Sequence, residues 1–187
     1  MLPVPVSKFS RLVISMVLLA FVAACATVVT DPFFDAAERG DTRTVKSLLA
    51  SGTNVNKRND KGETALMIVS RNNDEPTAKL LLNKGTDVNA KDNAGYTNLM
   101  AASAGGNIGI VNSLLSRGAS VNDTANDGTT ALLAAAQRGR TSVVDILLTK
   151  GADLNARDKN GMTAMGYAKK NKFPKLVKYL DDAGAKE

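Results

Sequence analysis

Residues 126–157 read NDGTTALLAAAQRGRTSVVDILLTKGADLNAR, and this stretch contains the unit that decides the fold. It opens with a turn sequence whose Gly128 readily takes a positive φ angle. Thr130 is then placed to cap a helix, because its side-chain oxygen can accept a hydrogen bond from a free N–H of the first turn. Residues 131–136 are small and apolar nearly all round, which is typical of a helix packed between two neighbours.

The second half of this unit predicts another helix. Residues 137–140 interrupt the apolar run with polar side chains and a glycine, and residues 143–148 form a second apolar stripe. Lys150 supplies a cation to the last turn and Gly151 supplies a left-handed stop, both of which are common at helix C-termini. The unit is therefore predicted to be a pair of short helices joined by a tight bend.

The unit recurs with a period of 33 residues. Two glycine columns, one asparagine column and one threonine column keep the same register through more than half of the chain, which indicates a stacked repeat architecture. The columns are Gly52, Gly85, Gly118 and Gly151; Asn56, Asn89, Asn122 and Asn155; Gly62, Gly95, Gly128 and Gly161; and Thr64, Thr97, Thr130 and Thr163. Each unit of such a stack contacts only its neighbours, so the fold presents a surface without a closed interior for a reaction centre.

The pattern resembles the ankyrin repeat family, whose unit runs D-x-x-G-x-T-P-L-H, then small residues, then G, an I-V-x-x-L-L helix, G-A-D and V-N-A. The matching residues run from about Asp31, which stands in register with Thr64, to Ala185. They make three full units between a first unit that lacks its turn and a last unit that ends at its second helix. The resemblance implies an all-α solenoid of about five helix–turn–helix repeats, with β-turn or hairpin tips and with caps at both ends.

Two departures from the family pattern affect local packing. The family's histidine after T-P-L is replaced by other residues, so its hydrogen-bond link between turns is absent and packing must substitute for it. At the bend between helices, Asn73 and Lys172 stand where the other copies have glycine, and Lys adopts the left-handed region less readily than Asn. The residues at the histidine position are Phe34, Met67, Met100, Leu133 and Gly166.

The first thirty residues are predicted to be an export signal. Lys8 and Arg11 precede the uncharged, almost wholly apolar stretch Leu12–Ala24, which is typical of a secretory signal peptide. The last residues of this stretch, with Cys25, resemble the bacterial lipobox, in which a cysteine is acylated and becomes the mature N-terminus. We therefore expect a lipoprotein signal peptide over residues 1–25, a linker over 26–30 and the ankyrin repeat domain over 31–187.

Two other interpretations of this segment stay open. The chain could be an ordinary secreted or periplasmic protein cut after Ala26, or residues 12–30 could be an uncleaved inner-membrane anchor. All three interpretations place the repeats outside the cytoplasm. This holds even for the uncleaved anchor, because Lys8 and Arg11 would stay on the cytoplasmic side. Ala26 and Thr27 follow Cys25 without the aspartate that retains many lipoproteins at the inner membrane, so the resemblance implies the periplasmic face of the outer membrane.

Composition argues against several classes of function. Removal of Lys8 and Arg11 with the signal takes two of the 24 basic residues, which leaves a net charge of about +4 against the 18 acidic residues. This modest charge is interspersed along the chain and aromatic residues are few, so we do not expect nucleic-acid binding. The lysines near the C-terminus are interpreted as the polar face of an end cap, although contact with anionic lipid or an acidic partner stays open.

The sequence supplies no recognisable catalytic centre. It has no histidine and a single cysteine, which removes the Ser/His/Asp and Cys/His arrangements and the usual zinc ligand sets. The carboxylate pair Asp74-Glu75 is better explained by helix initiation, and Asp181-Asp182 is expected to lie beyond the last helix in solvent. Gly105-Gly106 lacks the G-K-[ST] of a phosphate loop. We therefore expect a non-enzymatic protein without cofactor, metal or small-molecule substrate.

In the family that the chain resembles, partners commonly bind on the concave side, at the turn tips and the ends of the first helices. Mapping by register gives candidate residues for contact with another protein. They are Arg39, Lys61, Glu63, Arg71, Asn93, Tyr96, Asp127, Thr129, Gln137, Arg138, Lys159, Met162 and Lys170. Tyr96 is either an exposed hot spot or a tip residue lying on its neighbouring turn. The recurring basic residues either attract an acidic partner or form a solvated ridge.

The sequence thus predicts a non-catalytic protein-interaction module that is exported and anchored by a lipid. Two narrower roles are kept open: protection against a secreted toxin as its immunity partner, or association with an oxidative-stress enzyme. The alternative from another class is an envelope enzyme built on an ankyrin frame, for which the sequence supplies no nucleophile with a base.

Lipidation at Cys25 can be tested by substitution. We expect the parent protein to incorporate radiolabelled palmitate and to fractionate with membranes, and Cys25→Ala to do neither, because the thiol is the acylated group. Absence of label from the parent protein, with unchanged mobility in the variant, would refute the lipoprotein interpretation.

Overall fold

The computed structural model describes residues 31–186, within which residues 32–186 belong to one compact unit. This part of the chain contains ten α-helices and two isolated antiparallel bridges, Arg58 with Thr64 and Lys91 with Thr97. The helices are α1 (Pro32–Glu38), α2 (Thr42–Ala50), α3 (Ala65–Arg71), α4 (Glu75–Asn83), α5 (Asn98–Gly105), α6 (Ile108–Leu115), α7 (Ala131–Gln137), α8 (Thr141–Thr149), α9 (Ala164–Lys170) and α10 (Pro174–Asp182). The predicted stack of five helix pairs is confirmed.

Each helix packs on its partner within the pair and on its equivalents in the adjacent pairs. The five first helices, α1, α3, α5, α7 and α9, form one layer, and the five second helices form another. The first helices are buried nearly all round, as residues 131–136 of α7 show, whereas α8 buries only one face, with Val143, Val144 and Leu147. The core is therefore a continuous band that passes from one repeat to the next.

The predicted threonine caps are all present. Each threonine hydroxyl accepts a hydrogen bond from the N–H three residues later, over distances of 3.1 to 3.3 Å. The four caps are Thr64, Thr97, Thr130 and Thr163, which begin α3, α5, α7 and α9. The threonine side chains are buried, and each hydroxyl satisfies a backbone donor in the first turn of its helix.

The two carboxylate pairs have different outcomes. Asp74 caps α4, where its side chain accepts from the Thr77 N–H at 3.2 Å, so the interpretation of Asp74-Glu75 as helix initiation is confirmed. The expectation that Asp181-Asp182 follows the last helix is wrong. Both residues are the final residues of α10, and they are exposed, since the helix continues on its buried Leu176 and Leu180.

The asparagine column joins every repeat to the next, an arrangement that we call the asparagine ladder. Each side-chain Oδ1 accepts a hydrogen bond from the backbone N–H of the residue 31 positions later, over 2.8 to 3.0 Å. The pairs are Asn56 with Asp87, Asn89 with Ser120, Asn122 with Asp153, and Asn155 with Lys186. Asn89 and Asn122 also donate from Nδ2 to the carbonyls of Gly118 and Gly151 in the next repeat.

The turn tips of the central repeats are linked in a second way. The Asn93 N–H donates to the Lys61 carbonyl at 3.0 Å, and the Asn126 N–H donates to the Ala94 carbonyl at 2.9 Å. The backbones approach so closely that a Cβ at Gly95 would lie 2.8 Å from the Asn126 side-chain oxygen. This glycine is therefore required by its neighbour as well as by its positive φ angle.

The bend between helices explains why a lysine is tolerated at position 172. Asn73 and Lys172 both adopt positive φ angles, of 61° and 60°. At Gly139 the next repeat lies against the bend, since an added Cβ would be 2.8 Å from the Phe173 ring. Among the described residues no further repeat follows Lys172, so its side chain projects into solvent at the end of the stack.

The leader and linker predictions, which include Cys25 and residues 1–30, lie outside the described residues. Between residues 31 and 186, none of the helices combines the length and the apolar character needed to cross a bilayer.

A glycine in these columns is needed either for its positive φ angle alone or also for the close approach of the next repeat, and two glycines with the same φ angle distinguish these reasons. Gly85 and Gly95 both have a φ angle of 81°, but a Cβ at Gly85 would meet nothing within 4 Å. We expect Gly85→Ala to cost about 1–2 kcal/mol from backbone strain alone. Gly95→Ala should cost more, because it also forces the turn tips apart. Urea unfolding measures both, and equal losses would contradict the close approach of the tips.

Candidate partner-binding groove

A groove of about 390 Å³ lies between the turn tips and the ends of the first helices of the second, third and fourth repeats. Six of the residues that register mapping assigned to a partner surface line it together. They are Glu63, Arg71, Tyr96, Thr129, Gln137 and Arg138. Residues more than seventy positions apart in sequence therefore meet on one surface, which follows directly from the stacking of the repeats.

The floor of the groove is apolar and made of small side chains at its centre. Met67 and Met100 lie on α3 and α5, and Ala101, Ala104 and Ala134 extend the surface towards α7. Ala101 and Ala104 remain partly exposed, whereas both methionines and Ala134 are at least 95% buried. The apolar surface that the neighbouring repeats leave uncovered in the groove is therefore mainly that of Ala101 and Ala104.

Glu63, which register mapping placed at a turn tip as a candidate for partner contact, is buried in the structure. Its side chain accepts from Arg71 at 2.7 Å and from Asn59 Nδ2 at 2.9 Å, and so forms part of the groove wall. Burial acts to raise the pKa of Glu63, but the hydrogen bonds from Asn59 and Arg71 outweigh it. The pKa therefore lies below the usual glutamate value.

Tyr96 lies on its neighbouring turn, which decides between the two interpretations of this residue. Its hydroxyl donates to Asp127 Oδ2 at 2.7 Å and is 3.4 Å from the Thr129 hydroxyl, both in the next repeat. Burial and the nearby Asp127 carboxylate raise the pKa of the Tyr96 hydroxyl. The half-buried ring borders the groove, while the hydroxyl serves the contact between tips.

The remaining acidic groups near the groove are occupied within the stack. Asp92 Oδ1 accepts from the N–H groups of Ala94 and Tyr96, and Asp127 Oδ1 accepts from the Thr129 N–H. Arg138, at the end of α7, is exposed and makes no side-chain hydrogen bond or ion pair with residues 31–186. Among the described residues that line the groove, Arg138 is thus an arginine without an ion-pair partner, whereas Arg71 is paired with Glu63.

A family model described as ankyrin repeats (3 copies) matches residues 33–125 and 119–186. The chain belongs to the ankyrin repeat family. Ankyrin repeats generally mediate protein–protein interactions, and members of the family are typically non-enzymatic interaction modules. No curated protein matches the sequence significantly.

The other mapped residues of this ankyrin stack lie outside the groove. Arg39 pairs with Asp35 on its own helix at 2.5 Å, and Asn93 uses its Nδ2 to reach the Asp60 carbonyl of the preceding tip. Met162 was expected at an exposed tip but is half-buried, because its methyl group covers Gly166. Three further mapped residues, Lys61, Lys159 and Lys170, are exposed on the surface away from the groove lining.

Register mapping missed the groove floor. It selected turn tips and first-helix ends, whereas Met67 and Met100 are buried residues at the position of the family histidine. A comparison of side-chain size at equivalent positions of successive repeats would have predicted the groove. The third ankyrin repeat carries Ala104 where the second carries Arg71 and the fourth Gln137, so a gap in the edge of the stack is visible in the sequence.

The ion pair in the groove wall makes stability depend on pH. Because the folded pKa of Glu63 lies below its unfolded value, its contribution is present above the unfolded pKa and is lost as the pH falls through the folded one. We expect wild type to exceed Glu63→Gln in unfolding free energy at neutral pH, with a difference that shrinks in acid. Urea unfolding across a pH series measures it, and Arg71→Ala should reduce the effect. A difference independent of pH would contradict this assignment.

Proposed function

We propose that this ankyrin stack binds another protein through the groove formed by its second, third and fourth repeats. The observation that carries the proposal is the meeting of turn tips and first-helix ends around an apolar floor, with Arg138 uncommitted on the rim. Partly exposed apolar surface beside an arginine is typical of protein interfaces, where arginine and aromatic residues often dominate the binding energy.

The proposed activity is binding without catalysis. The sequence has no histidine, and its single cysteine lies at position 25, so the Ser–His and Cys–His pairs of common hydrolases cannot form in the repeats. Residues 31–186 contain no group of three or more His, Cys, Asp or Glu side chains that could hold a metal ion. The carboxylates around the groove serve the fold, because they accept hydrogen bonds from the stack itself.

We also propose that the protein is exported and held by an acyl chain on Cys25 at the periplasmic face of the outer membrane. The basic start, the apolar stretch and the lipobox-like residues before Cys25 support this part of the proposal. Five residues, 26–30, separate that cysteine from Asp31, a reach of roughly 15–20 Å when extended. The partner would then be a protein of the envelope that is accessible close to the membrane surface.

The groove can be tested in cells with a photoreactive amino acid. Gln137 lines the groove, whereas Lys150, in the same repeat, is exposed outside it. We expect crosslinking from position 137 to give a discrete adduct with another protein, and crosslinking from position 150 to give none. Arg138→Glu should suppress the adduct, and the matched charge reversal Lys150→Glu should leave it unchanged. Adducts that form equally from both positions, or that survive Arg138→Glu, would contradict the proposed surface.

A further inference from the structure

We infer that the centre of the groove is a pocket for one bulky apolar side chain of the partner, followed or preceded closely by a carboxylate. This inference rests on the proposed function, since it specifies the chemistry of the segment that the groove binds. The pocket is the space above Ala101 and Ala104 of the third repeat, between Arg71 on one side and Gln137 with Arg138 on the other.

The pocket arises from side-chain size along the register of the repeats. Arg71, Ala104 and Gln137 occupy one position in three successive repeats, and the short alanine side chain between the two long ones opens the edge in the third repeat. All three residues line the same space. The groove as a whole has a volume of about 390 Å³, which lies within the range of sites that hold small ligands and leaves room at its centre for one aromatic or large aliphatic side chain.

Packing between repeats explains why residue 105 is a glycine, but it leaves the neighbouring Ala104 partly uncovered. A Cβ at Gly105 would lie 2.6 Å from Asn73 Oδ1 and 2.8 Å from the Ser70 carbonyl, so the second repeat requires a glycine there. Ala104 is different, because its side chain lines the groove and stays partly exposed. An exposed methyl group flanked by long polar side chains is an apolar surface that a partner can cover.

The charge around the pocket favours an acidic segment. Glu63 is paired with Arg71 and also accepts from Asn59, and Asp92 Oδ1 is held by two backbone N–H groups of its own turn. Arg138 is exposed without a charged partner in the described part of the chain, and it stands beside the Gln137 amide. A carboxylate placed there would form a charge-assisted hydrogen bond, whereas a lysine or arginine would meet a like charge.

Selection of short peptides from a random displayed library on the purified full chain tests the inference. We expect enrichment of Phe, Trp, Tyr or Leu with Asp or Glu within two positions. Replacing that apolar residue by Ala, or filling the pocket with Ala104→Met, should each weaken binding about tenfold. Amidation of the peptide carboxylate should weaken binding to the wild-type protein about tenfold. It should weaken binding to Arg138→Ala far less, because that variant lacks the cation that the carboxylate contacts.

Matched controls separate the pocket from the general surface. Ala104→Ser keeps the size of the side chain and should retain binding, Lys150→Glu should bind as wild type does, and circular dichroism should show the same helix content for every variant. The inference would be overturned if the selected peptides lacked the apolar–acidic pattern or bound Ala104→Met as tightly as wild type. It would also be overturned if amidation weakened binding to wild type and to Arg138→Ala equally. Failure to enrich any peptide would overturn it as well. Crosslinking from Gln137 is unaffected by these outcomes, so it tests the proposed function separately.

Discussion

The structure depends on the contact between successive repeats, and the asparagine ladder is its most regular part. At each of the four joints a side-chain Oδ1 accepts the backbone N–H that lies 31 residues later. A single helix pair buries too little apolar surface to be stable by itself, so its stability comes from its neighbours. The ladder fixes how each pair is placed on the next, and therefore which residues of distant repeats share a surface.

The groove is a consequence of that placement. Translation by one repeat superimposes equivalent positions, so a variation in side-chain size along one column becomes a variation in the height of the surface. The middle repeat has Ala104 between Arg71 and Gln137, and all three residues line the groove. The same closeness of the tips that requires Gly95 also brings Tyr96 to Asp127, so part of the groove wall is built from contacts that stabilise the stack.

Much of the fold could be predicted from the columns, because a capping threonine or a left-handed glycine acts within a few residues of itself. The four threonine caps and the positive φ angles at the bends follow from such local chemistry. The site could be predicted only in outline. Whether Glu63 faces solvent or Arg71, and whether Met162 is exposed or covers Gly166, depends on side-chain packing in three dimensions, which register alone does not contain.

Hydrogen exchange of the ladder amides tests the central claim most directly, because those N–H groups lie in exposed connecting segments that would otherwise exchange freely. We expect slow exchange at Ser120 and Asp153, whose N–H groups bond to Asn89 and Asn122, and faster exchange at Lys186, whose N–H group bonds to Asn155 at the last joint of the described stack. Exchange of Ser120 and Asp153 at the rate of an unstructured peptide would contradict the stacking on which the groove depends.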